Sequence, residues 1–471
     1  MLFNSLTFCV FFLVVLLVHR LPLPWTIKKA NLVIASCLFY AAWSPPFVVL
    51  VWISALTDWS VARRLAVSQT TSGRRALLLT SLGVNLALLG YFKYGGFLLE
   101  NFVWLVHQFG IEYQPAAPDI ILPLGISFYT FQTLAYTISV YRRESEPSCS
   151  FLDYVLFLTF FPRLVAGPIV RSGFFLPQCV EPKQADARQL SWGLLLLALG
   201  LFQKVILADS LLAPVADLVF GAPEKAGFLD AWVGTFAFSG QIFFDFAGYS
   251  SCAIGAALCL GFALPENFRC PYAASGFSDF WRRWHISLST WFRDYLYISL
   301  GGNRRGAQRT LVNLMLTMLL VGLWHGASWR FVVWGGLHGA YLVIERTLRR
   351  VFPASPSPRR GLGLLPVSLL TFLVVSATWV FFRAKDFSSA LRLGATMLGG
   401  GAGHIVEPFA GATVAVVLSV TFVVQLLLRD SDLEELVYGL PLWVRSAGLA
   451  TVLVCLYLVP GDDRAFIYFG F

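Results

Sequence analysis

Two histidines stand where a chain could carry out proton-transfer chemistry: His285 in FWRRWHISLSTWFRDYLY (280–297) and His325 in GLWHG (322–326). An imidazole titrates near neutrality, so it can take a proton from a hydroxyl and hand it on as a general base and acid. If a helix starts near Arg309, His325 lies sixteen residues along it, about 24 Å at the usual rise. That depth is within hydrocarbon, where an ionisable side chain marks a functional site by default. The plainer alternative is a core histidine bonded to a carbonyl. Glycines 322, 326, 335, 336 and 339 surround it and allow helices to approach closely. His338, between glycines in the next span, is a third and weaker candidate. Read as one helix, 277–295 places Phe277, Trp281, Trp284, Leu288, Trp291, Phe292 and Tyr295 on one face and Arg282, Arg283, Arg293 and Asp294 elsewhere. That is an interfacial pattern, with His285 at the edge of its aromatic face.

The elements that must hold these residues follow from composition. Of 471 residues, 57% are hydrophobic and 13% charged, and mean hydropathy is +0.70. This excludes an ordinary soluble domain and predicts an all-α polytopic integral membrane protein. Apolar runs at 2–18, 30–43, 47–60, 76–92, 119–140, 190–213, 229–262, 310–327, 329–348, 363–383, 411–428 and 443–460 predict 11–12 transmembrane helices. Pro45 and Pro46 predict a tight hairpin between two spans. Segment 151–168, with Pro162 and Arg163 in its middle, reads as re-entrant. The basic clusters at Arg20/Lys28/Lys29, Arg63/Arg64/Arg74/Arg75, Arg142/Arg143, Arg304/Arg305/Arg309 and Arg349/Arg350/Arg359/Arg360 fall on the cytoplasmic side in one threading, with both termini outside. Arg383, Lys385 and Arg392 are the exception. The expected organisation is a single membrane domain over 1–471, with its motifs between about 120 and 350 and a cytoplasmic linker at 353–360.

Other polar residues have two readings each. Asp245, Gln241 and Tyr249 lie in one apolar span and could bind substrate or simply pair. Trp281, Trp284 and Trp324 could line a tunnel or anchor the chain at the interface. Arg282, Arg283, Arg304 and Arg305 could neutralise the phosphates of a donor or serve topology alone. The eight cysteines have no metal-ligand spacing, so no metal is expected. The net charge of +9 is accounted for by short loops, which points to membrane lipids rather than nucleic acid.

Four segments carry a family resemblance: LPLGISFYTFQTLAY (122–136), FFPRLVAGPIVR (160–171), QIFFDFAGYS (241–250) and the block from ENFRCPY through GLWHGASW (266–329). They resemble the membrane-bound O-acyltransferase family, in particular its bacterial alginate O-acetyltransferase branch, and the terminal FIYFGF is similar to that branch's aromatic tail. The resemblance implies membrane helices around a funnel, with His325 catalytic and His285 in support near the cytoplasmic mouth. It implies a cytoplasmic thioester donor, acetyl-CoA by expectation, with no permanently bound cofactor. It also implies an inner-membrane location and periplasmic partner acetyltransferases that complete O-acetylation of an exopolysaccharide. Ser139 and Ser251 stand where this branch usually has Asp. Those losses leave the acceptor open between alginate, cellulose and another polymer. A covalent acyl-histidine, a polysaccharide or lipid transporter and a scaffold for periplasmic enzymes are the rival readings, and the tunnel reading requires His325 to be reachable from both compartments.

Overall fold

A computed structural model describes residues 1–116, 119–352, 361–459 and 464–467. The linker at 353–360 and the last four residues of the aromatic tail lie outside the described residues. The described chain is helical throughout, with no strand. Seven helices are long and apolar enough to cross a membrane, eight if the bent pair Leu433–Gly439 and Leu442–Leu458 is one span. Helices form at all twelve apolar runs. Those at Leu6–Arg20, Trp25–Ala41 and Ile126–Tyr141 have only 15, 17 and 16 residues, short of the roughly 20 needed to span upright. Helices outside those runs went unread: Ser172–Val180, Phe387–Ala395, Leu433–Gly439 and the second half of Thr71 to Gln108, a continuous 38-residue helical segment that passes through a π-turn at Gly90–Tyr94.

The chain divides into two compact units. The first holds residues 1–193, 256–265 and 326–328. Here α1 (Leu6–Arg20) and α2 (Trp25–Ala41) form a hairpin. α3 (Val48–Val67), entered through Pro45–Phe47, packs with α4 (Thr71–Leu89) and α5 (Ile126–Tyr141). Ser5 caps α1 by accepting from the Phe8 N–H, and Thr70 caps α4 from the Gly73 N–H. Gly125, at φ +73°, starts α5, and a Cβ there would meet the Leu164 carbonyl oxygen at 2.7 Å. The stretch read as re-entrant is two short helices, Phe151–Thr159 and Phe161–Leu164, broken at Phe160. Their side chains from Tyr154 onward are buried, and the fully enclosed Arg163 guanidinium lies 5.0 Å from the Phe157 ring and 4.9 Å from that of Phe175.

The second unit holds residues 194–255, 266–325 and 329–471. α6 (Phe228–Cys259) contributes its first 28 residues. The short helices α7 (Phe277–Arg283) and α8 (Ile286–Trp291) follow, then the antiparallel pair α9 (Ala307–His325) and α10 (Trp329–Val351), and α11 (Leu365–Arg383). The glycines do what their spacing suggests. A Cβ on Gly322 would sit 2.1 Å from the Phe331 carbonyl oxygen, and one on Gly335 would sit 2.2 Å from that of Met318. Only hydrogen at these positions lets α9 and α10 pack backbone to backbone.

Arg383, which did not fit the charge threading, has a structural partner. Its guanidinium donates to Asp217 at 2.6 Å, and Arg464 donates to the other oxygen of the same carboxylate.

Candidate active site

His325 is the last residue of α9, a helix of 19 residues and about 27 Å. It is held at the turn into α10 by the glycine-packed pair. His285 is positioned differently. The helix expected across 277–295 breaks there: Trp284 is extended and His285 is left-handed at φ 43° and ψ 54°. The single aromatic face drawn on a continuous helix is therefore replaced by two short helices meeting at the histidine. A left-handed conformation disfavours a residue with a Cβ by about 1–2 kcal/mol, so neighbours must impose it. Asn267 supplies that constraint. Its carbonyl accepts from the Ile286 N–H at 2.9 Å, its Oδ1 from Ser287 at 2.6 Å, and its amide donates to Ser250 at 3.1 Å. Asn267 was missed as a site residue. The only trace of it in the sequence was its place in ENFRCPY, because nothing in spacing reveals a backbone clamp 18 residues upstream.

The two imidazole centroids lie 6.5 Å apart, too far for a direct hydrogen bond between the rings. Aromatic side chains wall both. Trp324, Trp334 and Phe382 approach His325 at 5.0, 5.1 and 5.3 Å, while Phe246 and Trp324 approach His285 at 4.6 and 5.9 Å. The wall continues through Trp284, Trp379, Trp281 and His338. Six of the singled-out residues, His285, His325, Trp281, Trp284, Trp324 and His338, thus gather in one aromatic cluster. The histidines are 0% and 2% exposed. Side chains of the wall cover both rings almost completely. Burial pushes the His285 pKa from 6.5 down to about 3, which keeps that ring neutral at physiological pH.

His338 has a structural explanation. The Thr378 hydroxyl donates to the Val375 carbonyl at 2.6 Å, so toward His338 Nε2, at 3.0 Å, it acts as acceptor. That fixes the proton on Nε2 and ties α10 to α11.

Asp245 forms an ion pair with Lys204, which also holds Asp209 at 3.0 Å, and accepts from the Ile467 N–H at 2.8 Å. Lys204 lies in a π-helical stretch, Phe202–Leu212, and was not foreseen. Tyr249 stacks on Phe466 at 4.8 Å, and Phe466 is 2% exposed. The start of the aromatic tail is therefore folded into this unit instead of being displayed as a docking surface. Gln241 is buried with its Oε1 unmatched. The arginines divide: Arg283 is committed to Asp279, Asp430 and the carbonyls of Arg269 and Arg429, whereas Arg282, Arg304 and Arg305 are exposed. No group of three or more His, Cys, Asp or Glu among the described residues could hold a metal.

Residues 140–382 match the membrane-bound O-acyltransferase family. The chain is 40% identical to a probable alginate O-acetylase AlgI of Azotobacter vinelandii, over 84% of this chain and 78% of that protein. It is 38% identical to a peptidoglycan O-acetyltransferase of Helicobacter pylori, over 79% and 74%. A teichoic acid D-alanyltransferase of Streptococcus thermophilus is 28% identical over 58% of this chain and 69% of that protein.

Proposed function

The chain belongs to the membrane-bound O-acyltransferase family, and from that premise we propose that it passes an acetyl group from a cytoplasmic thioester, acetyl-CoA, toward the hydroxyls of an alginate-like exopolysaccharide on the other face of the inner membrane. Periplasmic acetyltransferases complete the transfer. Acyl transfer and multi-pass membrane insertion come with the family. The acetyl group and the polysaccharide class rest on the similarity to alginate and peptidoglycan O-acetyltransferases. The single observation that supports the site is the pairing of His325 with His285 inside one aromatic enclosure.

In this mechanism His325 takes the proton of an acceptor hydroxyl presented from the outer face by the periplasmic partner, which later hands the acetyl group to the polymer, as that oxygen attacks the thioester carbonyl. The tetrahedral oxyanion then collapses, the thiolate departs, and the imidazolium returns the proton to sulfur. Only a small neutral acyl group crosses, so the charged nucleotide of the donor never enters hydrocarbon. The oxyanion needs a donor. Trp334 offers one: its ring centroid is 5.1 Å from that of His325, the side chain is wholly buried, and its indole N–H has no acceptor. His285, neutral and held by the Asn267 clamp, orients the thioester beside it.

The test is His325→Gln in cells that make the polymer. Polymer-bound acetate is expected to fall by about 10³-fold, within the range for loss of a general base, with protein in the membrane unchanged. Undiminished acetate at normal protein level overturns the assignment.

A further inference from the structure

The hairpin of α1 and α2 encloses a cavity of about 330 Å³, lined almost wholly by apolar side chains, away from both histidines in sequence and within the first unit. We propose that it binds one acyl chain of an anionic phospholipid whose headgroup carries a free hydroxyl, the chemistry of phosphatidylglycerol.

Its dimensions fit a lipid. Because the helices run antiparallel, Phe11 and Leu38 line one end while His19, Lys28 and Asn31 line the other. Lys28 to Leu38 is ten residues of helix, about 15 Å, half of a hydrocarbon core of about 30 Å. The groove is therefore one leaflet deep. Its lip is formed by Val14, Ile34 and Leu38, which are 53%, 57% and 58% exposed and face lipid in a membrane protein.

The polar end supplies the headgroup argument. Lys28, half-buried and lining this end of the groove, supplies a positive charge for a phosphate. His19 is buried, and its Nε2 lies 3.0 Å from the Lys183 carbonyl oxygen and 3.1 Å from that of Leu260. Carbonyls only accept, so Nε2 carries the hydrogen and Nδ1 presents a lone pair. That Nδ1 has no partner, and a buried acceptor left unmatched is costly. A neutral headgroup hydroxyl can donate to it, whereas an ammonium donor would meet the like charge of Lys28 at the same end. A cation above a one-leaflet apolar groove, beside a buried acceptor, selects an anionic, hydroxyl-bearing lipid over a zwitterionic one.

Native mass spectrometry of the full-length protein in detergent tests this, with phosphatidylglycerol, phosphatidylethanolamine and phosphatidylcholine of one chain length added in turn. Wild type should retain phosphatidylglycerol preferentially. Lys28→Gln should lower that retention roughly fivefold, the effect of about one lysine at a lipid surface. Ile34→Trp, which fills the groove from its lipid-facing lip, should lower retention of all three lipids. Equal retention of phosphatidylglycerol and phosphatidylcholine by wild type, or preference for phosphatidylethanolamine, overturns the headgroup assignment. Retention unaffected by Ile34→Trp overturns the groove.

Discussion

Two buried polar centres, one in each unit, treat hydrogen bonding in opposite ways. In the first unit Asp58 of α3 is enclosed by donors from α4 and α5. Ser81 donates to it, Asn85 reaches both its oxygens at 3.1 and 2.9 Å, and Thr137 stands at 3.5 Å. The single hydroxyl hydrogen of Thr133 lies between two acceptors, the Thr130 carbonyl at 2.9 Å and Asn85 Oδ1 at 3.2 Å. That centre spends its capacity on itself and pins three helices together. In the second unit the wall around His325 buries the indole N–H groups of Trp281, Trp284, Trp334 and Trp379 without an acceptor. An unmatched buried donor costs about 1–3 kcal/mol, and proteins seldom keep several in one place without a use for them. The two centres thus differ in kind: the first is pinned by bonds among its own side chains, and the second keeps indole donors that no protein group matches.

The contrast is broken most severely at the indoles. Trp334→Phe keeps an aromatic ring against His325 and removes the N–H. If that group serves the oxyanion, kcat for acetyl transfer falls about 10²- to 10³-fold and KM for the donor hardly moves, because the charge exists only in the transition state. A matched change in KM with kcat preserved would reassign Trp334 to packing or ground-state binding.

The opposite outcome is expected at the pin. Asp58→Ala orphans the donors of Ser81 and Asn85, and the loss is expected to be about 3 kcal/mol of unfolding stability at the usual cost per unmatched group. Turnover per folded molecule should stay within twofold. A drop in kcat comparable to that of Trp334→Phe, measured on protein purified in its folded form, contradicts the division into pin and site.

The sequence reading was most successful where one local pattern decides the outcome. Glycines 322, 335 and 339 announced the close α9–α10 contact because only a missing Cβ permits it, and each of the twelve apolar runs carries a helix, from Leu6–Arg20 to Leu442–Leu458. His325 and His285 were legible as rare polar residues in apolar surroundings. What stayed hidden depended on distant partners. Asp245 could not be assigned to Lys204, 41 residues earlier in the chain, and Asn267 could not be seen clamping His285. The break at His285 was hidden for a related reason. The spacing of the aromatic residues in FWRRWHISLSTWF fits one uninterrupted helix, and the left-handed turn interrupts it where tertiary hydrogen bonds from Asn267 hold the chain.

That interruption makes the smallest and most specific prediction. His285 lies outside the spanning helices, and burial depresses its pKa from 6.5 to about 3. In the unfolded chain the same ring gains a proton as pH falls below 6.5, while in the folded protein it stays neutral until near 3. The contribution to stability is thus fully present above pH 6.5 and is lost progressively as pH falls from 6.5 toward 3, at about 1.4 kcal/mol per pH unit. Between pH 6.5 and 5 the wild type should lose about 2 kcal/mol on this account. His285→Gln has nothing to titrate there and should lose correspondingly less, read as the difference between denaturant midpoints of the two proteins in one detergent at the two pH values. Parallel pH dependence of wild type and His285→Gln would show that the ring is hydrated in the folded state, and the closed aromatic enclosure would then have to be redrawn as an open one.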